Sequence, residues 1–147
     1  MIRLVTLAVL ALALTATLAD AGSQRIHVTA EFVEATLIGD PANPKLGDQQ
    51  ITSVELFDED HLQVGTGTGI CTLVTQPGEN ALVQCFITAV FDNKGQIVFG
   101  GVAPFPVIGV VGHFAIFGGT GDFRTARGEV TLVILSPVLE DATFDIE

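Results

Sequence analysis

The stretch FGGTGDFRTARGEV, Phe117 to Val130, places four glycines and two arginines in fourteen residues. Such a segment can cradle a phosphate, trap an anion, or turn between strands. A phosphate loop needs G-x-x-x-x-G-K-[ST], with a lysine and a helix behind it. Here Asp122 follows Gly121, and its carboxylate repels phosphate. A dinucleotide fingerprint needs further glycines in register and a βαβ unit, and neither is present. What stays open from the residues is a turn, with Gly118, Gly119 and Gly121 free to take positive φ. Arg124 and Arg127 are then available to pair with carboxylates.

Two further residue types limit the chemistry. The chain has no tyrosine and no tryptophan, so no phenol serves as acid, base or radical site. It has two cysteines, Cys71 and Cys85. They stand seven residues before and seven after Gly78, the centre of the turn Gln76–Asn80. In an antiparallel hairpin they face each other, close enough for a disulfide. A structural Cys71–Cys85 bond is therefore expected. Two cysteines without clustered histidines give no zinc site, and no cofactor or metal is expected. The acidic run Asp58-Glu59-Asp60 reads as a solvated turn, and His27 and His61 as solvated side chains.

These groups must be carried by strands. Short β-branched runs alternate with Gly and Pro punctuation throughout. The runs are Ile26–Ile38, Gln50–Phe57, Gln63–Thr75, Ala81–Phe91, Gln96–Val102, Val107–Phe117 and Glu129–Leu135. A short piece over Phe123–Ala126 is a further candidate strand. Gly65, Gly67 and Gly69 fall at every second position, so they share one strand face and leave it bare. Asp92-Asn93-Lys94-Gly95 is a hairpin turn. Consecutive strands with hairpin links predict an all-β antiparallel barrel or sandwich. The acidic segment Ser136–Glu147 is expected to lie on the surface as a tail.

The first residues read differently. Met1-Ile2-Arg3 gives a positive start, Leu4–Ala19 is apolar apart from threonines, and Ala19-Asp20-Ala21 supplies small residues for cleavage. This pattern predicts a secretory signal peptide over 1–21 and a secreted, extracellular domain over 22–147. The apolar run of about 16 residues is short for a membrane span of roughly 20. The net charge is −11, which repels nucleic acid and anionic membrane. Neither partner is expected after signal cleavage.

Four blocks, taken together, resemble the allene oxide cyclase and dirigent superfamily. They are LGD at Leu46–Asp48, VGTGTGICTLV at Val64–Val74, FDNKGQIVFGGV at Phe91–Val102 and FAIFGGTGDFRTARGEVTL at Phe114–Leu132. They follow the family's order and cover most of Leu46 to Leu135. The resemblance implies an eight-stranded antiparallel β-barrel and a homo-oligomer, dimer or trimer. It also implies a small apolar or phenolic ligand whose cyclisation or stereoselective coupling the barrel directs. On it, Glu34 matches the first-strand glutamate of the cyclases, with Thr36 as a polar partner and Phe32 and Phe99 as ligand contacts. His113, ahead of the closing block, is a weaker candidate base.

If Glu34 shares an inward face with Phe32 and Thr36, its carboxyl sits among apolar neighbours and can act on a cationic intermediate. If the parity is reversed, Val33, Ala35 and Leu37 point inward and Glu34 meets solvent. Three readings of the domain follow. A roomy cavity with an inward carboxylate favours chemistry, a cavity without polar groups favours a carrier, and a barrel plugged by Phe and Leu favours a structural domain.

Overall fold

The computed structural model describes residues 22–147; the signal segment expected over 1–21 lies outside them. Eight strands follow in order: β1 (Gln24–Ile38), β2 (Gln49–Phe57), β3 (Gln63–Leu73), β4 (Leu82–Phe91), β5 (Gly95–Pro104), β6 (Val111–Gly119), β7 (Gly128–Ser136) and β8 (Leu139–Ile146). Each pairs antiparallel with the next, and β8 pairs with β1 to close the barrel. Closure satisfies the backbone groups that an open sheet would leave at its edges.

The expected all-β, eight-stranded antiparallel barrel is therefore present, but its eighth strand is not where the sequence pattern put it. The segment Ser136–Glu147 is not a surface tail. Its residues Leu139–Ile146 form β8, bonded on one side to β7 and on the other to β1. Asp141 and Asp145 make the segment read as solvated, yet they belong to its outward set. Ala142, Phe144 and Ile146 alternate with them and are buried. Phe123–Ala126 adds no strand: a 3-10 turn at Gly121–Phe123 buries the Phe123 ring instead.

The glycine-rich stretch is a turn that closes one end of the barrel. Thr120 and Asp122 donate their N–H groups to the carbonyls of Gln96 and Lys94, on the β4–β5 hairpin. Those donors are thus spent on protein carbonyls. Gly121 has φ +59°, and a Cβ there would run into the Lys94 carbonyl. Only glycine fits this left-handed, backbone-on-backbone contact. The Arg127 guanidinium donates to the Ala126 carbonyl.

Above this turn the barrel is filled by phenylalanine. Phe123 packs on Phe91 with ring centres 5.3 Å apart, and Phe91 meets Phe144 edge to face at 5.5 Å. Phe144 meets Phe99 at 5.5 Å, and Phe99 meets Phe114 at 6.2 Å. Ile97, Val28 and Val130 pack around this column and are fully buried. Five of the ten phenylalanines thus plug one half of the barrel and leave the other half hollow.

Cys71 and Cys85 stand directly opposite in the β3–β4 register and are joined. Two stability outcomes follow. Removing both sulfurs by Cys71→Ala with Cys85→Ala should cost about 3 kcal/mol, the value for a loop of this length, read as a lowered urea midpoint. Phe144→Ala should cost roughly 3–5 kcal/mol, where the same change in a surface tail would cost almost nothing.

Candidate functional site

The hollow half is a cavity of about 880 Å3 that opens at one end of the barrel. Its shape begins with β3. Three of the inward positions of that strand are Gly65, Gly67 and Gly69, and they lie opposite Leu56, Val54 and Thr52 of β2. A Cβ on Gly67 would stand 2.7 Å from Val54 Cγ2. The bare glycine face therefore lets the β2 side chains lean across it, and space is left above. Phe99, Phe114 and Phe144 line the cavity from the plugged half. Val33, Val107, Ile108 and Val138 line its mouth and are exposed. A recess of about 160 Å3 adjoins it, sharing Gln50, Cys71, Val83 and Pro106 as walls.

A β-bulge decides where β1 points. Phe32 is opposite Val54, but Glu34 is opposite Ser53, so Val33 is the extra residue. A bulge of this kind reverses the parity of everything after it. Phe32 stays in the inward set with Val28 and Ala30, and it lines the cavity. Beyond the bulge Ala35 faces Thr52 of the inward set, whereas Thr36 faces Ile51, which is 41% exposed. Phe32 and Thr36 therefore do not share a face, and Thr36 is not part of the cavity wall. Glu34 lies between, exposed and at the bulge, where it contributes to the wall near the mouth.

The other residues singled out from sequence separate cleanly. Phe99 lines the cavity, as do Cys71 and Cys85, whose sulfurs are tied in the disulfide. His113 does not reach it. It is exposed between the buried inward residues Gly112 and Phe114, and its Nδ1 lies 3.0 Å from Glu129 Oε1 on the outer face. A ligand inside the barrel has no access to that ring. His27 is also outside, with Nε2 2.6 Å from Asp141 Oδ1. Asp58 is a turn cap, its Oδ1 accepting from the Asp60 and Leu62 N–H groups. Among the described residues no group of three or more His, Cys, Asp or Glu is placed to hold a metal ion.

The structure adds a carboxylate that the sequence reading passed over. Glu140 lies on β8 opposite Ala30 of β1 and Ile134 of β7, and all three line the cavity. It belongs to the inward alternation Glu140, Ala142, Phe144, Ile146. None of the ion pairs among the described residues involves it. Burial without a countercharge pushes its carboxyl up to about 7. A carboxyl at that value exchanges protons near neutrality and can serve as general acid or base, or as a fixed negative charge. The two-residue alternation through Ile146 was the available signal. It was masked by reading the aspartates around it as a solvated tail.

A family model described as allene oxide cyclase barrel like domain matches residues 23–143. No curated protein matches the chain. Among solved structures, a pyocyanin demethylase is similar at 24% identity and a TM-score of 0.72, covering 83% of this chain and 99% of its own. An exo-specific intermolecular Diels–Alderase is similar at 16% identity and a TM-score of 0.72, covering 85% of this chain and 98% of its own. A pterocarpan synthase dirigent protein is similar at 20% identity and a TM-score of 0.68, covering 85% and 87%. These likenesses are of fold.

The raised carboxyl has a consequence for stability. Its folded value of about 7 stands above the ordinary 4.5. Folding therefore favours the protonated form, and this contribution is present below about pH 4.5 and lost as pH rises through 7. Glu140→Gln should leave stability unchanged near pH 4 and raise it above pH 7, by on the order of 2–3 kcal/mol. Urea unfolding of both proteins across that range checks the sign. A loss of stability at high pH would show that the carboxylate is paired.

Proposed function

The chain belongs to the allene oxide cyclase barrel-like family, and from that premise we propose that it binds a small apolar or phenolic molecule and directs its cyclisation or stereoselective coupling. The observation that carries this reading is the pairing of a hollow apolar half-barrel with one inward carboxyl, Glu140. A cavity of about 880 Å3 lies within the range of roughly 300–1,000 Å3 typical of small-molecule sites. A barrel plugged throughout would have neither. Two proteins of similar fold, a Diels–Alderase and a dirigent protein, support the same reading.

The work is division of labour between wall and charge. Phe32, Phe99 and the aliphatic wall hold a flexible reactant in one conformation, which removes competing geometries before reaction. Glu140 supplies the electrostatic part. Protonated, it donates to a developing alkoxide or leaving oxygen; ionised, it accepts a proton or faces positive charge developing in the transition state. Glu34, at the mouth, is a second and more solvated carboxylate. The same logic that assigned the role to Glu34 from sequence transfers to Glu140, because the role requires an inward carboxyl among apolar neighbours. Secretion fits the reading: the disulfide suits an oxidising compartment, and 1–21 has the pattern of a signal peptide.

The test separates turnover from carriage. Wild-type protein and Glu140→Gln are incubated with candidate allylic epoxides and phenoxyl-radical precursors, and products are resolved by chiral chromatography. Binding of an apolar fluorescent probe is measured in parallel. Wild-type protein should alter the product distribution. Glu140→Gln should slow that reaction by about 100-fold while probe affinity changes little. Wild-type protein that binds the probe and leaves every product distribution at its uncatalysed value is a carrier, and the enzymatic reading then falls.

A further inference from the structure

The charge of the cavity wall goes further than its volume. Its thirty-odd residues include two carboxylates, Glu140 and Glu34, and not one lysine, arginine or histidine. The other polar side chains of the wall, Gln50, Thr52, Thr68, Thr88 and Ser136, are neutral. Three phenylalanines, Phe99, Phe114 and Phe144, form the inner end. The adjoining recess carries Asp40 and Asp48 and again no cation. From this arrangement we infer that the ligand of the barrel carries a cationic nitrogen, such as a protonated amine, on an apolar ring body, and that Glu140 is its countercharge. The inference rests on the small-molecule reading of the same cavity and names the charge class of the molecule.

Two electrostatic effects act in one direction. An ionised Glu140 among Ala30, Ile134 and Ala142 has lost part of its water and gained no partner. A ligand cation supplies the partner, and the low polarity of the wall strengthens their attraction. The three phenylalanines form an apolar floor that takes the ring body. The whole chain, at −11, draws cations towards the mouth over a range set by ionic strength. A ligand carboxylate meets the reverse: repulsion by Glu140 and Glu34, and no cationic side chain to receive it.

The pH behaviour follows from what faces Glu140. From β1 the neighbours in the wall are Ala30 and Phe32, and from β7 they are Leu132 and Ile134; none titrates. The other titratable group in the wall is Glu34. Ionisation of Glu140 across neutrality therefore controls the preference, and it strengthens as pH rises through about 7.

The experiment uses three probes with one ring body: 2-naphthylmethylamine, 2-naphthalenemethanol and 2-naphthoate. The chain has no tryptophan and no tyrosine, so naphthalene emission is read without protein background. At about pH 8 and low salt the amine should bind the protein at least 10-fold tighter than the alcohol, with the naphthoate weakest. The amine-to-alcohol ratio should fall as pH is lowered to about 5. Glu140→Gln should bring the amine down to the alcohol. Glu129→Gln, which removes the same charge from the outer face, should leave the ratio as in the wild type. Naphthoate binding as tightly as the amine overturns the inference, as does an amine preference that survives in folded Glu140→Gln. If that variant does not fold, a wild-type ratio that stays flat between about pH 5 and 8 overturns it alone. An amine preference in a protein that turns nothing over would sustain this inference and remove the enzymatic reading. Turnover without the preference would do the opposite.

Discussion

Everything above the closed end depends on the seating of Phe144. Its ring, 1% exposed, touches Phe91 on one side and Phe99 on the other. It stands on β8, whose backbone closes the sheet between β7 and β1. One residue thus joins two tasks: its strand removes the open edges, and its side chain stops the barrel from being hollow throughout. The stack from Phe123 to Phe114 also fixes the floor of the cavity, so the depth available to a ligand is set by ring packing and not by any loop. Edge-to-face packing of this kind adds to the burial of the rings themselves.

Two backbone devices then shape the hollow half. The inward face of β3 has no side chains at Gly65, Gly67 and Gly69, and the β2 side chains fill part of what they leave. The bulge at Val33 does the opposite work on β1. It turns Thr36 out, brings Ala35 in, and puts a small residue where a polar one was expected. Both devices act by changing which side chain occupies a position, with no change in the hydrogen-bonded closure of the sheet. That is why a barrel can keep its topology and still alter its interior.

Much of this was legible in the sequence, and the failures have local causes. The Cys71–Cys85 pair could be read because a hairpin is symmetrical about its turn, and register then follows by counting. The β4–β5 turn and the glycine stripe were legible for the same reason: each is a pattern within a few residues. The bulge was not, because an extra residue leaves no compositional mark on FVEAT and parity was all that could be counted. β8 is hard to read because LEDATFDI carries acids on its outward face, and they mask the alternation of its inward residues. The inward carboxyl of the site was lost with that strand. Glu34 is the carboxylate that the sequence singles out, and the cavity wall holds both it and Glu140.

A carboxyl held inward without a partner is a local cost to the fold, and its place in the wall explains how the domain tolerates it. Glu140 is not sealed in the core; it borders a cavity wide enough for water or a ligand to reach it. When the cavity is empty, the group can relieve part of the cost by taking up a proton near neutral pH. When a cation occupies the cavity, the ligand relieves it instead, and the proton leaves. Proton and cationic ligand thus compete for one negative charge, so binding and acid–base state are linked. The same group would then be an acid with an empty or neutral occupant and a counter-ion with a charged one. The charge of an occupant would decide between them, since no lysine, arginine or histidine lines the cavity.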